Sequence, residues 1–170
     1  MTKSTREPIK CVMDVLKEFM SLDDEHCYLY NNKWIIPNDK ELFIVLGIMS
    51  VSPIGNTLKY YKEPDKLLAV TTTNVRGLYS LNIFSYDTSA RTRQAEVIAA
   101  LHSDIAIRSQ ERHSYSISAH TMSFRDVSDL EASKRLNRYV ATFGIQYGET
   151  FTKEAPYWDE LGGYKTFIND

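Results

Sequence analysis

Residues 42–52, LFIVLGIMSVS, place apolar side chains at Phe43, Ile44, Val45, Leu46, Ile48, Met49 and Val51. Successive side chains of a β-strand point to opposite faces, so this segment is apolar on both. A strand of this kind is either covered on both sides, or covered on one and used as contact surface on the other. The chain must therefore build a sheet with a covering layer, and any part of this strand left uncovered is a candidate interface. Phe43, Val45, Met49 and Val51 are the residues that this reading singles out.

Period-two alternation recurs further on. In residues 78–86, Tyr79, Leu81 and Ile83 share one face, while Ser80 and Asn82 share the other with Phe84 and Tyr86, so the second face is not fully solvated. Residues 114–120 alternate Tyr115, Ile117 and Ala119 with serines and His120. A long strand over 135–147 sets Tyr139, Ala141, Phe143, Ile145 and Tyr147 against Arg138, Thr142, Gly144 and Gln146. Shorter β-prone pieces are 26–30 and 33–36, with a hairpin expected at Asn31-Asn32, and 57–61 and 67–74. Pro53, Ile54, Gly55 and Asn56 predict a turn, residues 63–66 with Pro64 a loop, and residues 124–134 a break.

Two helices complete the pattern. Ile9, Val12, Met13, Leu16, Phe19 and Met20 recur at spacings of three and four, with Pro8 in the first turn and the acidic run Asp23-Asp24-Glu25 expected to end the helix. Asp87 and Thr88 are good N-caps for a helix running to about residue 109, striped by Gln94, Val97, Ile98, Leu101 and Ile105. The expected fold class is α+β: a mostly antiparallel or mixed β-sheet flanked by an N-terminal helix and one long central helix. Residues 1–148 are read as a single domain and 149–170 as a C-terminal arm or tail.

A chain of 170 residues can bury a core without metals or disulfides. Twenty basic residues against 22 acidic ones leave a formal charge of −2, without the basic excess of proteins that neutralise phosphates. Cys11 and Cys27 lack CxxC spacing and read as buried thiols of a chain made in a reducing cytosol. The polar first ten residues hold no signal-peptide core, and the apolar stretch 42–49 is too short to span a bilayer, so a soluble protein is expected.

Chemistry-bearing motifs are missing from the sequence. The seven glycines form neither GxGxxG nor GxxxxGK[ST], and no HExxH, CxxC or GxSxG occurs. His102 and Asp104 lie two apart on a helix and so point in different directions. The run Asp23-Asp24-Glu25 reads as a solvated acidic loop, because hard cations need several oxygens held in a cage. Arg91 and Arg93, and Arg135 and Arg138, do not alternate with aromatics on one face as in an RNA-binding sheet, and Arg93 is spaced to pair with Glu96. No catalytic, cofactor-binding or metal-binding residue is expected, and no cofactor.

The order of elements in residues 77–150 resembles tail-terminator and neck-terminator proteins of tailed phages. The positions that carry the resemblance are Ile83, Phe84, Tyr86 and Ala90, where a strand feeds a helix, then Asp126, Asp129, Arg135 and Tyr147 around the last long strand. The tail over 149–170 departs from the shortest members. The resemblance implies a homo-hexameric ring at the head-proximal end of the tail. Such a ring stops growth of the tube, and of the sheath in contractile tails, and docks the neck. Its implied partners are sister copies, the tail tube protein, a neck or head-completion protein and a sheath protein if the tail contracts. DNA passes its lumen without specific binding, no membrane is involved, and the ring belongs to the virion after synthesis in the host cytoplasm. Nothing catalytic is carried over. Ring contacts are expected on strands 42–52 and 135–147 and axial contacts on loops 53–66 and 124–134. The candidate contact residues are Phe43, Val45, Met49, Val51, Arg91, Arg93, Arg125, Asp126, Arg135 and Arg138. Other readings are a different head–tail joining or tail-completion protein, or a small α+β domain that binds a ligand or nucleic acid.

Overall fold

The computed structural model describes residues 6–30, 41–120, 122–128, 130–131 and 134–155. The first helix, α1, spans Pro8–Met20. Proline at its first position forfeits an N–H that has no helical partner anyway. Its apolar face, including Ile9, Val12, Val15, Leu16 and Met20, is buried. The helix ends at Ser21, in a left-handed conformation with its N–H on the Lys17 carbonyl, before the acidic run begins. That run is engaged locally, with Asp24 paired to Lys17 at 2.7 Å and Asp23 to the buried His26 at 2.5 Å.

Strand β1 (Cys27–Leu29) pairs in parallel with the start of β2 (Phe43–Glu63). Residues 31–40, where a hairpin was expected, lie outside the described residues. β2 turns through Pro64-Asp65 into β3 (Lys66–Ser85) and pairs with it antiparallel along its whole length. The turn therefore falls at 64–65, and Pro53–Asn56 is not a turn as the sequence led us to expect. Instead β2 passes through two bulges, at Met49 and Ile54, and runs on. Among the described residues β2 has no outer neighbour at Pro53, and an edge strand or bulge is where a residue without an N–H fits a sheet.

The expected single long central helix is three short ones: α2 (Ser89–Thr92), α3 (Gln94–Leu101) and α4 (Asp104–His113). Local side-chain bonds explain the breaks. The entry is fixed by Asp87, which accepts the Ser89 N–H at 2.7 Å, and by Ser85, which accepts the Ala90 N–H at 2.9 Å. Ser103 donates its hydroxyl to the Ala100 carbonyl and accepts the Ala106 N–H, so it closes α3 and opens α4. Four strands follow: β4 (Tyr115–Ser118) and the short β5 (Arg125–Asp126), β6 (Leu130–Glu131) and β7 (Lys134–Arg135). β8 (Asn137–Ala155) is the last among the described residues and runs eight residues beyond Tyr147, where the alternation ended.

The main sheet is mixed, ordered β1-β2-β3-β8-β4, with β5 also on β8. Its helix-side face presents Ile44, Leu46, Tyr79, Leu81, Ile83, Tyr139, Phe143 and Ile145 to α1, α3 and Ala90 of α2. On the other face Phe43, Val45 and Phe84 form a second, smaller cluster with Tyr28 and Leu136. Cys11 and Cys27 are free and buried, as expected. The fold is thus α+β with one dominant sheet.

Candidate functional site: a three-stranded arm

The strands β2, β3 and β8 outrun the helices that cover them. Residues 48–63 of β2 and 149–154 of β8 are exposed throughout, and residues 67–73 of the central β3 are half-buried by these two flanking strands. The arm is held by register: Leu58, Thr71 and Phe151 are aligned across the three strands, as are Tyr60, Ala69 and Lys153. Isolated strands of this length would be marginal, and a third strand gives each ladder a partner.

The two faces of the arm differ. One is continuous with the helix-side face, because β3 and β8 stay in step from the core outward. There Leu58, Tyr60 and Phe151 are each more than half exposed, beside Leu67 and Ala69, with Lys62 and Lys153 nearest the tip. The opposite face closes its own charges. Lys66 bridges Glu63 at 3.5 Å and Glu154 at 3.6 Å, and the hydroxyls of Thr72 and Thr150 meet at 3.1 Å.

Both borders of the arm are open. Beyond Leu46, β2 has no outer neighbour among the described residues, and beyond Tyr147 neither has β8. β2 and β8 are both antiparallel to β3, so the two open borders run in the same direction. Exposed ladder groups of this kind are templates for a further strand.

The sequence candidates are not gathered into one place. Met49 and Val51 are exposed at the start of the arm. Phe43 and Val45 are fully enclosed by the subunit itself, in the second cluster, and offer no contact surface. Arg91 is exposed, whereas Arg93 binds Glu96 through two hydrogen bonds, of 2.6 and 2.9 Å, and also reaches the Met20 carbonyl at the end of α1. This pair, anticipated from spacing, holds the Glu96 carboxyl below its usual range. Arg135 pairs with Leu130 through the backbone, and its side chain is outside the described part.

Arg125, Asp126 and Arg138 lie on or beside the face away from the helices. Asp126 caps Ser128, accepting from both its N–H and its hydroxyl. Arg138 donates to Asn82 at 3.0 Å and lies over the Phe84 ring, while its Nε is enclosed without an acceptor among the described residues. Arg125 and Arg138 share an open cavity of about 630 Å³ with Ser123, Ser128 and Thr142. One arrangement had no signal in the sequence: His102 and His120, 18 positions apart, bring their rings to 5.5 Å. No group of three or more His, Cys, Asp or Glu side chains among the described residues could hold a metal. Among them, too, no helix is long and apolar enough to cross a membrane.

No protein-family model matches this chain, and no curated protein does.

Proposed function

We propose that this chain is a non-enzymatic building block of a phage-type particle. It assembles into a homo-hexameric ring at the head-proximal end of the tail, terminates the tube, and the sheath where there is one, and gives the neck its docking face. The observation that carries this reading is the arm, with two open borders that run in the same direction on opposite sides of β3. Strands related by rotation about a ring axis point the same way, so β8 of one copy can meet β2 of the next in parallel, and each copy uses both borders. A two-fold pair would use one border of each copy and leave the other open. The exposed Met49, Val51, Leu58, Tyr60 and Phe151 supply apolar surface for such contacts. The resemblance of residues 77–150 to terminators points the same way, and a formal charge of −2 suits a lumen that DNA passes without binding.

The test is the morphology of particles made without this chain. Overlong tails of variable length are the expected result; tails of normal length left detached from heads would reassign the chain to head–tail joining. Light scattering on the purified chain adds the assembly state. A strict monomer whose removal changes neither tail length nor attachment ends the reading. A ligand-binding domain is the second reading, favoured by the cavity that holds Arg125 and Arg138. In that case Arg138→Ala abolishes anion binding and leaves assembly unchanged.

A further inference from the structure

We propose that the open cavity beside β5 and β8, on the sheet face away from the helices, binds the dianionic group of a small phosphomonoester. Such a role rests on the second reading above, in which this cavity is a ligand site, and does not depend on the arm. Register builds the site. On β8, Arg138, Val140 and Thr142 alternate with the buried Tyr139, Ala141 and Phe143, so they share the face away from the core. β5 sets Arg125 directly opposite Val140, hence on the same face and diagonal to Arg138.

Two like charges therefore stand roughly 7–8 Å apart at their Cβ atoms, a pairing that sheets otherwise avoid. Among the described residues the arginines in ion pairs are Arg6, Arg93 and Arg108, not Arg125 or Arg138. The Asp126 carboxylate beside them accepts from the Ser128 N–H and hydroxyl. Arg138 is fixed by the subunit itself. It donates to Asn82 at 3.0 Å, and its guanidinium lies 5.2 Å from the Phe84 centroid. The Val127 N–H donates to the Arg138 carbonyl at 2.9 Å, and the Arg138 N–H to the Ser128 hydroxyl at 3.0 Å. Its Nε is enclosed without an acceptor among the described residues. An enclosed donor without an acceptor costs free energy, and an oxyanion seated against this guanidinium is the kind of group that supplies one.

Charge and size narrow the class. A phosphomonoester carries about −1.5 to −2 at neutral pH and so balances both guanidinium groups, whereas a carboxylate balances one. The exposed hydroxyls of Ser123 and Thr142 line the same cavity and add donors for a tetrahedral group. A volume of about 630 Å³ is of small-molecule size, and Val127 and Val140 give it apolar wall for an organic remainder. A formal charge of −2 on the chain disfavours a polynucleotide, whose many phosphates need a basic track.

Titration calorimetry of the full chain with phenyl phosphate is the test, with benzoate and a thymidine oligonucleotide as rival probes. Phenyl phosphate should fill one site per chain and bind at least about tenfold more tightly than benzoate. Between about pH 7.5 and pH 5.5 its affinity should fall about fourfold as it loses its second charge, while that of benzoate holds. Arg125 is exposed, so Arg125→Ala leaves the fold intact. That variant, and Arg138→Lys, which keeps the charge but not the fork, should each weaken phenyl phosphate about tenfold or more. Arg91→Ala, on the exposed side of α2, should not; urea midpoints show that each variant is folded. Benzoate bound as tightly as phenyl phosphate overturns the phosphomonoester and leaves the cavity an anion site. Binding of neither, or binding that both Arg125→Ala and Arg138→Lys leave unchanged, overturns the cavity reading as well. Oligonucleotide affinity that rises with length overturns the proposal in favour of nucleic acid.

Discussion

Phe43 and Phe84 sit directly opposite each other on β2 and β3 with their rings stacked, centroids 5.2 Å apart and planes within 4°. The Arg138 guanidinium covers the outer side of Phe84, 5.2 Å from its centroid. This stack closes the sheet face that carries no helix among the described residues. Phe43→Ala should therefore destabilise the chain by about 3–5 kcal/mol in urea unfolding. Tyr60→Ala, on the exposed arm, should stay within about 0.5 kcal/mol of the parent.

Gly77 is occupied from outside. A Cβ there would collide with the ring and hydroxyl of Tyr79, which is 2% exposed and stacks on Phe143 at 5.8 Å. The ring has little freedom to retreat, so Gly77→Ala should lower stability by about 1–3 kcal/mol. Gly55, where nothing lies within 4 Å of an added Cβ, is the matched control and should change little. Thermal or urea unfolding of the two variants makes the comparison.

Much of the core was legible because burial writes itself as periodicity. Tyr139, Ala141, Phe143 and Ile145 alternate and are buried, with Tyr139, Phe143 and Ile145 in the core cluster under the helices. The second-face aromatics announced the smaller cluster through Phe84. The outer half of β8 carried no comparable pattern: Glu149, Thr150, Thr152 and Lys153 are strand residues because Thr73, Thr72, Val70 and Ala69 lie beside them. Pairing between distant segments leaves no local mark. Pro53 and Gly55 misled for a related reason, since turn residues also mark bulges on an edge. The continuous helix failed at Ser103, whose hydroxyl serves the backbone on both sides. As for the site, Met49 and Val51 were readable as exposed candidates, but apolar content alone could not separate them from the enclosed Phe43 and Val45.

Acid should weaken the helical layer. The Asp87 carboxyl is held below its ordinary value, chiefly by the Ser89 N–H, and the Glu96 carboxyl by Arg93. Each is then still ionised in the folded chain at a pH where the unfolded chain has taken up a proton. Their stabilisation is present above the ordinary carboxylate value and is lost as pH falls through the depressed ones. Urea midpoints measured from about pH 6 to pH 2 should fall on the acid side, and Asp87→Ala should flatten that limb.

The two thiols should be silent in the native chain. Burial pushes Cys27 up to about 12 and raises Cys11 as well, leaving almost no thiolate at neutral pH. A disulfide exchange reagent at about pH 8 should titrate neither in the folded chain and both in denaturant, with the slow native reaction following the open population.

β2 holds two residues, Met49 and Ile54, with no counterpart on β3, while β3 and β8 match one to one. One margin of the ribbon is therefore longer than its midline, and such a strip cannot lie flat; it bows, as a bimetallic strip does when one layer expands. Whatever is carried at the Pro64-Asp65 tip takes its bearing from those two spare positions rather than from the tip itself.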